Sequence, residues 1–208
     1  MSGSMPVVIT YLGNSYFRVR KGTMISINTL SSIGIRIYLL EKRNENNRIS
    51  ILGNSGAGKS TLAKKIGEKL EIEVLTIDKI YWLSGWRLRD QSSYKKIHGE
   101  WVSRDSWIID GVGYWEELES RIKYSDLVIY FDVPVSICKK RALSRINDEK
   151  HAPNPYIVEG CLYENVRELQ MTTIENFEVE TKPKIIQLIN RLDSNKVQVI
   201  SAEKDLKL

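Results

Sequence analysis

Cysteine and histidine are scarce in this sequence, with two residues of each among 208. Cys138 and Cys161 form no CxxC pair, and His98 and His151 stand alone. Zinc sites need clustered Cys and His ligands at characteristic spacings. We therefore predict no zinc centre and two reduced thiols.

No stretch of 18 apolar residues occurs either, and the N-terminus lacks the apolar core and cleavage site of a signal peptide. A membrane-spanning helix and a secretory signal would need these features. We therefore expect a cytoplasmic protein without a membrane partner. The 42% hydrophobic and 27% charged residues are ordinary for a globular chain, and the length suits one domain with an appendage.

The excess of positive charge is confined to the start of the chain. Of the net charge of +5, residues 1–46 contribute most, with six Lys and Arg against two Glu, and residues 47–208 hold 25 basic and 24 acidic residues. A clustered basic face for nucleic acid is therefore not expected in the main part. We predict an N-terminal extension over 1–46 and a main domain over 47–208. An accessory hairpin and an incidental extension are equally open for the first segment.

A glycine-rich loop is the most specific motif in the chain. Residues 53–60 match the pattern G-x-x-x-x-G-K-[ST], between an apolar run and a helical pattern. Strand, loop and helix are the context of a phosphate-binding P-loop, and no guanine-reading signature follows, so ATP is the expected nucleotide. Lys59 would contact the β- and γ-phosphates and Ser60 the Mg²⁺ ion. The predicted nucleotide contacts are Gly53, Asn54, Ser55, Gly56, Ala57, Gly58, Lys59, Ser60 and Thr61.

Short apolar runs alternate with helical patterns from residue 48 onward. Buried strands that alternate with helices predict a parallel sheet covered on both faces, an α/β fold of three layers. Ligands of such sheets bind beyond the carboxyl ends of the strands. The predicted strands are 48–53, 73–77, 107–109, 127–131 and 197–200, and the predicted helices are 59–70, 91–103, 116–123, 135–146 and one or two within 156–192.

Two carboxylates follow predicted strands on the side of the P-loop. Asp78 ends the second strand and could orient or deprotonate an acceptor hydroxyl, or simply cap a helical turn. Asp110 ends the third strand and could hold Mg²⁺ together with Ser60. Either carboxylate could take the metal role.

Aromatic and arginine residues interleave just after the second strand. Trp82 and Trp86 could stack on a base, and Arg87 and Arg89 could bind a phosphate, whereas ordinary core packing is the alternative for the rings. With Asp78, we predict that Trp82, Trp86 and Arg87 form the acceptor site.

Arg141 and Arg145 lie four residues apart, so they share one face of a predicted helix. That face leads into a polar, proline-containing stretch near 147–156, which we predict to be a short lid. Arginines delivered by a closing lid would stabilise charge on the transferring phosphoryl group. A solvated helix face is the alternative.

Together these residues resemble the adenylate-kinase-like P-loop kinases, and most closely the small group described as DNA topology modulation proteins, or FlaR-like kinases. The resemblance covers about residue 48 to the end. It implies a P-loop NTPase fold with a five-stranded parallel sheet of order 2-3-1-4-5, and phosphoryl transfer from ATP with Mg²⁺ to a small acceptor. The segments that carry it are 53–61, 77–82 with 85–86, 107–111, 126–134 and the pair Arg141 and Arg145.

The predicted function is an ATP-dependent kinase in which Lys59, Asp78, Arg141 and Arg145 are catalytic. A nucleoside monophosphate is the first candidate acceptor, and a polyol or small acid, as in gluconate- or shikimate-type kinases, is the second. A nucleotide-binding regulatory protein with little turnover is the alternative outside the enzymes.

Overall fold

The structure is a computed structural model that describes residues 10–11, 16–18, 24–26, 47–148 and 154–201. The chain divides into two compact units, residues 1–43 with 202–208 and residues 44–201. In the first unit three short strands pair antiparallel in the order β1-β2-β3. They are β1 Thr10–Tyr11, β2 Tyr16–Arg18 and β3 Met24–Ser26.

A five-stranded sheet forms the centre of the second unit, and all its neighbouring strands are parallel. The order across the sheet is β5-β8-β4-β9-β10, which is 2-3-1-4-5 when these five strands are counted along the chain. The predicted fold class is therefore confirmed. The strands are β4 Arg48–Gly53, β5 Val74–Thr76, β8 Trp107–Asp110, β9 Leu127–Phe131 and β10 Val197–Ile200.

A small antiparallel hairpin, which the sequence pattern did not predict, stands apart from this sheet. It consists of β6 Trp82–Leu83 and β7 Arg87–Leu88. A π-helical turn, Phe177–Thr181, joins the last two helices, and single 3-10 turns cover Tyr163–Val166 and Ser194–Lys196. The helices are α1 Lys59–Leu70, α2 Asp78–Tyr81, α3 Gln91–Val102, α4 Trp115–Tyr124, α5 Val135–Asp148, α6 Arg167–Asn176 and α7 Lys182–Ile189.

Alternate side chains of β8 show why helices cover both faces of the sheet. Trp107 and Ile109 are fully buried in a cluster with Tyr94 of α3. Ile108 points the opposite way, and a Cβ placed on Gly67 of α1 would lie 3.8 Å from its Cδ1 atom. Because successive strand residues face opposite sides, one strand contributes to two apolar layers.

Most predicted elements are present, with differences at the ends that bear on the site. The second strand of the sheet ends at Thr76, and Asp78 is the first residue of α2 rather than the last of a strand. Helix α5 continues to Asp148, inside the predicted lid, and residues 149–153 of that lid lie outside the described residues. Within the described ranges no helix combines the length and the apolar character needed to cross a membrane.

Candidate active site

The P-loop between β4 and α1 lies very close to neighbouring backbone. Gly53 pairs with Phe131 of β9, and a Cβ on Gly53 would lie 2.7 Å from the Cβ of Phe131. A Cβ on Gly56 would lie 2.4 Å from the carbonyl oxygen of Cys138 in α5. Both glycines have φ values, +142° and +80°, that L side chains rarely adopt. The loop thus has this shape because these positions carry no side chain.

Asn54 organises the loop through both its backbone and its side chain. Its carbonyl oxygen accepts from Ala57 N at 3.2 Å and from Lys59 Nζ at 3.0 Å. Its buried side chain accepts from Ser55 N through Oδ1 and donates through Nδ2 to the carbonyl of Ile174 in α6, each at 2.8 Å. The first turn of the loop is therefore held in place by hydrogen bonds and tied to α6.

The start of α1 faces the end of β8. Ser60 Oγ donates to Asp110 Oδ2 at 2.5 Å, and Asp110 is 1% exposed. Burial raises the pKa of Asp110, against the effects of the Lys59 charge and of the Ser60 hydrogen bond. Its other oxygen, Oδ1, is buried without a hydrogen-bond partner in the described part of the chain. A hydroxyl beside a carboxylate with an unused oxygen fits Mg²⁺, which prefers oxygen ligands.

Asp78 lies within electrostatic reach of the same groups. It is half-buried at the start of α2, and its pKa is raised by burial and by Asp110 but lowered by the charges of Lys59 and Arg145. The charges of Lys59 and Arg145 thus act on both carboxylates, although the four residues come from four different elements.

The two arginines of α5 both face the P-loop side of the helix. Arg141 is half-buried and donates from Nη1 to the carbonyl of Ala57 at 3.2 Å. The guanidinium carbon of Arg145 lies 5.6 Å from the ring centroid of Tyr163. Arg141 therefore contacts the P-loop, and Arg145 lies near the Tyr163 ring within electrostatic range of Asp78.

The aromatic residues predicted for the acceptor site pack on one another. The ring centroids of Trp82 and Trp86 are 5.4 Å apart, and those of Trp86 and Tyr163 are 5.0 Å apart. The indole N–H of Trp86 also donates to the carbonyl of Leu162 at 2.9 Å. The hairpin β6–β7 is thereby joined to the segment after the predicted lid.

Arg87 and Arg89 both donate hydrogen bonds to nearby backbone carbonyls. Arg87 is exposed and donates from Nε to the carbonyl of Ser84 at 3.3 Å. Arg89 donates from Nε to the carbonyl of Ile80 at 2.8 Å and thereby braces the short helix α2. Arg87 and Arg89 therefore hold local backbone in this conformation of the protein.

Sequence reasoning missed a group of buried polar residues behind Asp110. Arg121 is fully buried and donates from Nη2 to the carbonyl of Gly111 at 2.6 Å. Glu117, Tyr94 and His98 are also buried, at 5%, 0% and 3% exposure. The i, i+4 pair of Glu117 and Arg121 could have signalled a shared helix face, but that spacing does not tell a buried pair from an exposed one.

No protein-family model matches the chain. A Bacillus subtilis (strain 168) protein, the uncharacterized protein YqaC, is 29% identical over 120 residues, which are 56% of this chain and 65% of that protein. The match therefore spans less than two thirds of the length of this relative.

Two solved structures of sugar kinases are similar at low identity. A gluconokinase from Sinorhizobium meliloti 1021 is 14% identical, with 77% of this chain and 85% of that chain covered and a TM-score of 0.42. A sugar kinase from Janibacter sp. HTCC2649 is 15% identical, with 77% and 90% covered and a TM-score of 0.44. With TM-scores below 0.5, these similarities do not inform on the activity of this chain. A functional assignment therefore depends on the P-loop and the carboxylates of the chain itself.

Proposed function

We propose that this chain is an ATP-dependent kinase of the adenylate-kinase-like type, which transfers the γ-phosphoryl group of ATP to a small-molecule acceptor. The observation that carries the proposal is the hydrogen bond from Ser60 of the P-loop helix to the buried Asp110, with Lys59 and Asp78 beside it. Phosphoryl transfer depends mostly on positioning and on compensation of negative charge, and these groups supply both.

Each group has a role toward the nucleotide. The backbone N–H groups of residues 53–60 would surround the β- and γ-phosphates. Lys59 Nζ, which donates to the Asn54 carbonyl in this structure, would donate to phosphate oxygens instead. Ser60 and Asp110 would hold Mg²⁺, which would supply positive charge to offset that of the phosphates. Arg141 and Arg145 would add positive charge from the side of α5.

Asp78 is the residue we assign to the acceptor. It would accept the hydroxyl proton while the acceptor oxygen bonds to the γ-phosphorus and the bond from that phosphorus to the β–γ bridging oxygen breaks. Burial raises the pKa of Asp78, which makes its carboxylate a better proton acceptor than a solvated one.

A nucleoside monophosphate remains the first candidate acceptor, with Trp82 and Trp86 for the base and Arg87 for the phosphate. A polyol or small acid is the second candidate. It is favoured by the contacts of Trp86 with Tyr163 and Leu162 and of Arg87 with Ser84, which occupy these side chains. Acceptor binding that survives Trp82→Ala would support the second candidate.

The test is ADP release from Mg·ATP in the presence of nucleoside monophosphates, nucleosides, sugar acids and shikimate, one at a time. Lys59→Ala is expected to lower stimulated release by roughly a thousandfold, or about 4 kcal/mol in the transition state. The matched control is Lys65→Ala, which removes an exposed lysine from the same helix. It should leave the rate unchanged.

Two outcomes would contradict the proposal. A folded Lys59→Ala protein with full transfer activity would remove the P-loop from catalysis. Tight ATP binding without stimulation by any acceptor would favour a nucleotide-binding regulatory protein with little turnover.

A further inference from the structure

Arg121 of α4 is buried, but its incomplete hydrogen bonding makes it a poor stabilising group. Its pKa is lowered to about 10 by burial, against the effects of Tyr94 and Asp110, so the guanidinium is charged at neutral pH. Its Nε and Nη1 atoms have no hydrogen-bond partner among the described residues, and neither has the carboxylate of Glu117. An incompletely paired buried charge destabilises a protein, and an apolar side chain of similar volume often packs at lower cost.

The bond that Arg121 does make is at a backbone position next to the active site. Its Nη2 atom donates to the carbonyl of Gly111, the residue that follows Asp110. The N–H of Gly111 donates to the carbonyl of Ile51 in β4 at 3.0 Å. Gly111 has φ +115°, and a Cβ there would lie 2.8 Å from the Cβ of Ile77. The N–H and the carbonyl of Gly111 are therefore both hydrogen-bonded, and its backbone conformation leaves no room for a side chain.

The same turn is hydrogen-bonded to the segment that carries the second carboxylate. The carbonyl of Asp110 accepts from the N–H of Ile77 at 2.7 Å, and Asp78 directly follows Ile77 in the chain. A shift of the Asp110–Gly111 turn would therefore move Asp110 away from Ser60 and change the position of Asp78. Arg121 donates a hydrogen bond to this turn from the buried side.

We infer that Arg121 is a positioning residue for phosphoryl transfer: it holds the turn at Asp110 and Gly111 so that Asp110 faces Ser60 and Asp78 faces Lys59. The inference rests on the proposed function. It assigns to Arg121 no contact with the nucleotide or the acceptor. Its neighbours from the surrounding elements are Asp110 of β8, Tyr94 and His98 of α3 and Glu117 of α4.

The experiment compares Arg121→Met and Arg121→Lys with Leu118→Ala, which removes a fully buried apolar side chain from the same helix. Arg121→Met is expected to lower ADP release from Mg·ATP by about 10- to 100-fold, as removal of an outer-shell partner typically does. Its midpoint of thermal unfolding should not fall. Arg121→Lys should recover part of the rate. Leu118→Ala should lower the midpoint and leave the rate per folded molecule unchanged.

Two further readouts do not need turnover. Calorimetry with ATP should show unchanged affinity for Arg121→Met in EDTA and a smaller gain in affinity on adding Mg²⁺. Hydrogen exchange of the metal-free protein should be faster at residues 110–112 in Arg121→Met than in the unchanged protein. Loss of rate together with loss of thermal stability, or unchanged exchange at the turn, would make Arg121 a structural residue and overturn the inference.

Lys59→Ala and Arg121→Met test the kinase assignment and the positioning role separately. If the unchanged protein and Lys59→Ala release ADP equally slowly, the kinase assignment fails. A Mg²⁺-dependent gain in ATP affinity that Arg121→Met diminishes would then still support the positioning role. Unchanged affinity and unchanged exchange in Arg121→Met would remove that role as well.

Discussion

At Gly53 the P-loop and β9 approach each other more closely than a side chain permits. We expect Gly53→Ala to lower the free energy of unfolding by about 2–4 kcal/mol, because the new Cβ clashes with Phe131 and the φ of +142° is strained for alanine. The control is Gly99→Ala in α3, where nothing lies within 4 Å of the added Cβ. That variant should be more stable by ~0.5–1 kcal/mol. Urea unfolding of both variants measures the difference, and equal effects would contradict the close approach.

The buried His98 is expected to make the folded protein less stable in acid. Burial and the charge of Arg121 lower its pKa from 6.5 to about 4, so the unfolded chain takes up a proton at a pH where the folded protein does not. The contribution of neutral His98 to the free energy of unfolding is complete above pH 6.5 and is lost as the pH falls toward 4. Between pH 7.5 and 4.5 this amounts to about 2 kcal/mol.

Urea unfolding at these two pH values measures the His98 effect. The fall in the free energy of unfolding should be smaller in His98→Gln by that amount, because the other titrating groups are common to both proteins. The same fall in both proteins would show that His98 is not buried in its neutral form.

At the scale of elements, the hairpin β6–β7 is attached to the segment after the predicted lid through Trp86. The indole N–H of Trp86 donates to the carbonyl of Leu162, and its backbone N–H donates to Cys161 Sγ at 3.4 Å. The backbone N–H of Gly85 donates to the carbonyl of Gly160 at 3.3 Å. Trp86 itself has φ +58°, which is uncommon for a bulky residue. Backbone strain of this kind persists where surrounding contacts hold it.

Trp86→Ala is therefore expected to loosen both elements together. Hydrogen exchange should become faster by about tenfold or more in residues 82–88 and also in 160–163, because a lost contact of roughly 1.4 kcal/mol already changes an opening equilibrium tenfold. Leu88→Ala, which removes an exposed side chain from the same hairpin, is the control. Faster exchange in the hairpin alone would show that the two elements are not coupled.

At the scale of the whole molecule, every residue assigned to the site lies between Gly53 and Arg145, in the second unit. We therefore expect a protein without residues 1–46 to bind Mg·ATP with a dissociation constant within about twofold of the full chain, since no described contact of the site would be lost. Titration calorimetry of both proteins with Mg·ATP measures this dissociation constant. A loss of ATP binding in a folded deletion protein would contradict the assignment of the site to one unit.

The same deletion tests the basic extension. If the full chain binds nucleic acid in a salt-sensitive manner and the shortened chain does not, while ATP binding persists, the regulatory alternative gains support. The two proteins would then share the nucleotide site and differ in the interaction surface.

The layered fold and the P-loop can both be predicted from the amino-acid sequence alone. Apolar runs such as 48–53 and 127–131 have a period and length that favour buried strands, and the glycine pattern of 53–60 requires a tight loop before a helix. These are local properties, so one segment is enough to read them. The pairing of Ser60 with a carboxylate could also be expected, because Ser60 lies in the first turn of the helix after one parallel strand and Asp110 ends the neighbouring strand.

Which side chains come into contact depends on how the elements pack in three dimensions. The spacing of Glu117 and Arg121 does not tell a buried pair from an exposed one. Both are buried, because α4 turns that face toward the Gly111 turn. Trp86 is predicted to be an acceptor ligand, and in this conformation its indole N–H donates to the carbonyl of Leu162, which is 76 residues away. Contacts between distant segments depend on how helices pack on the sheet, and no spacing along a single segment encodes that packing.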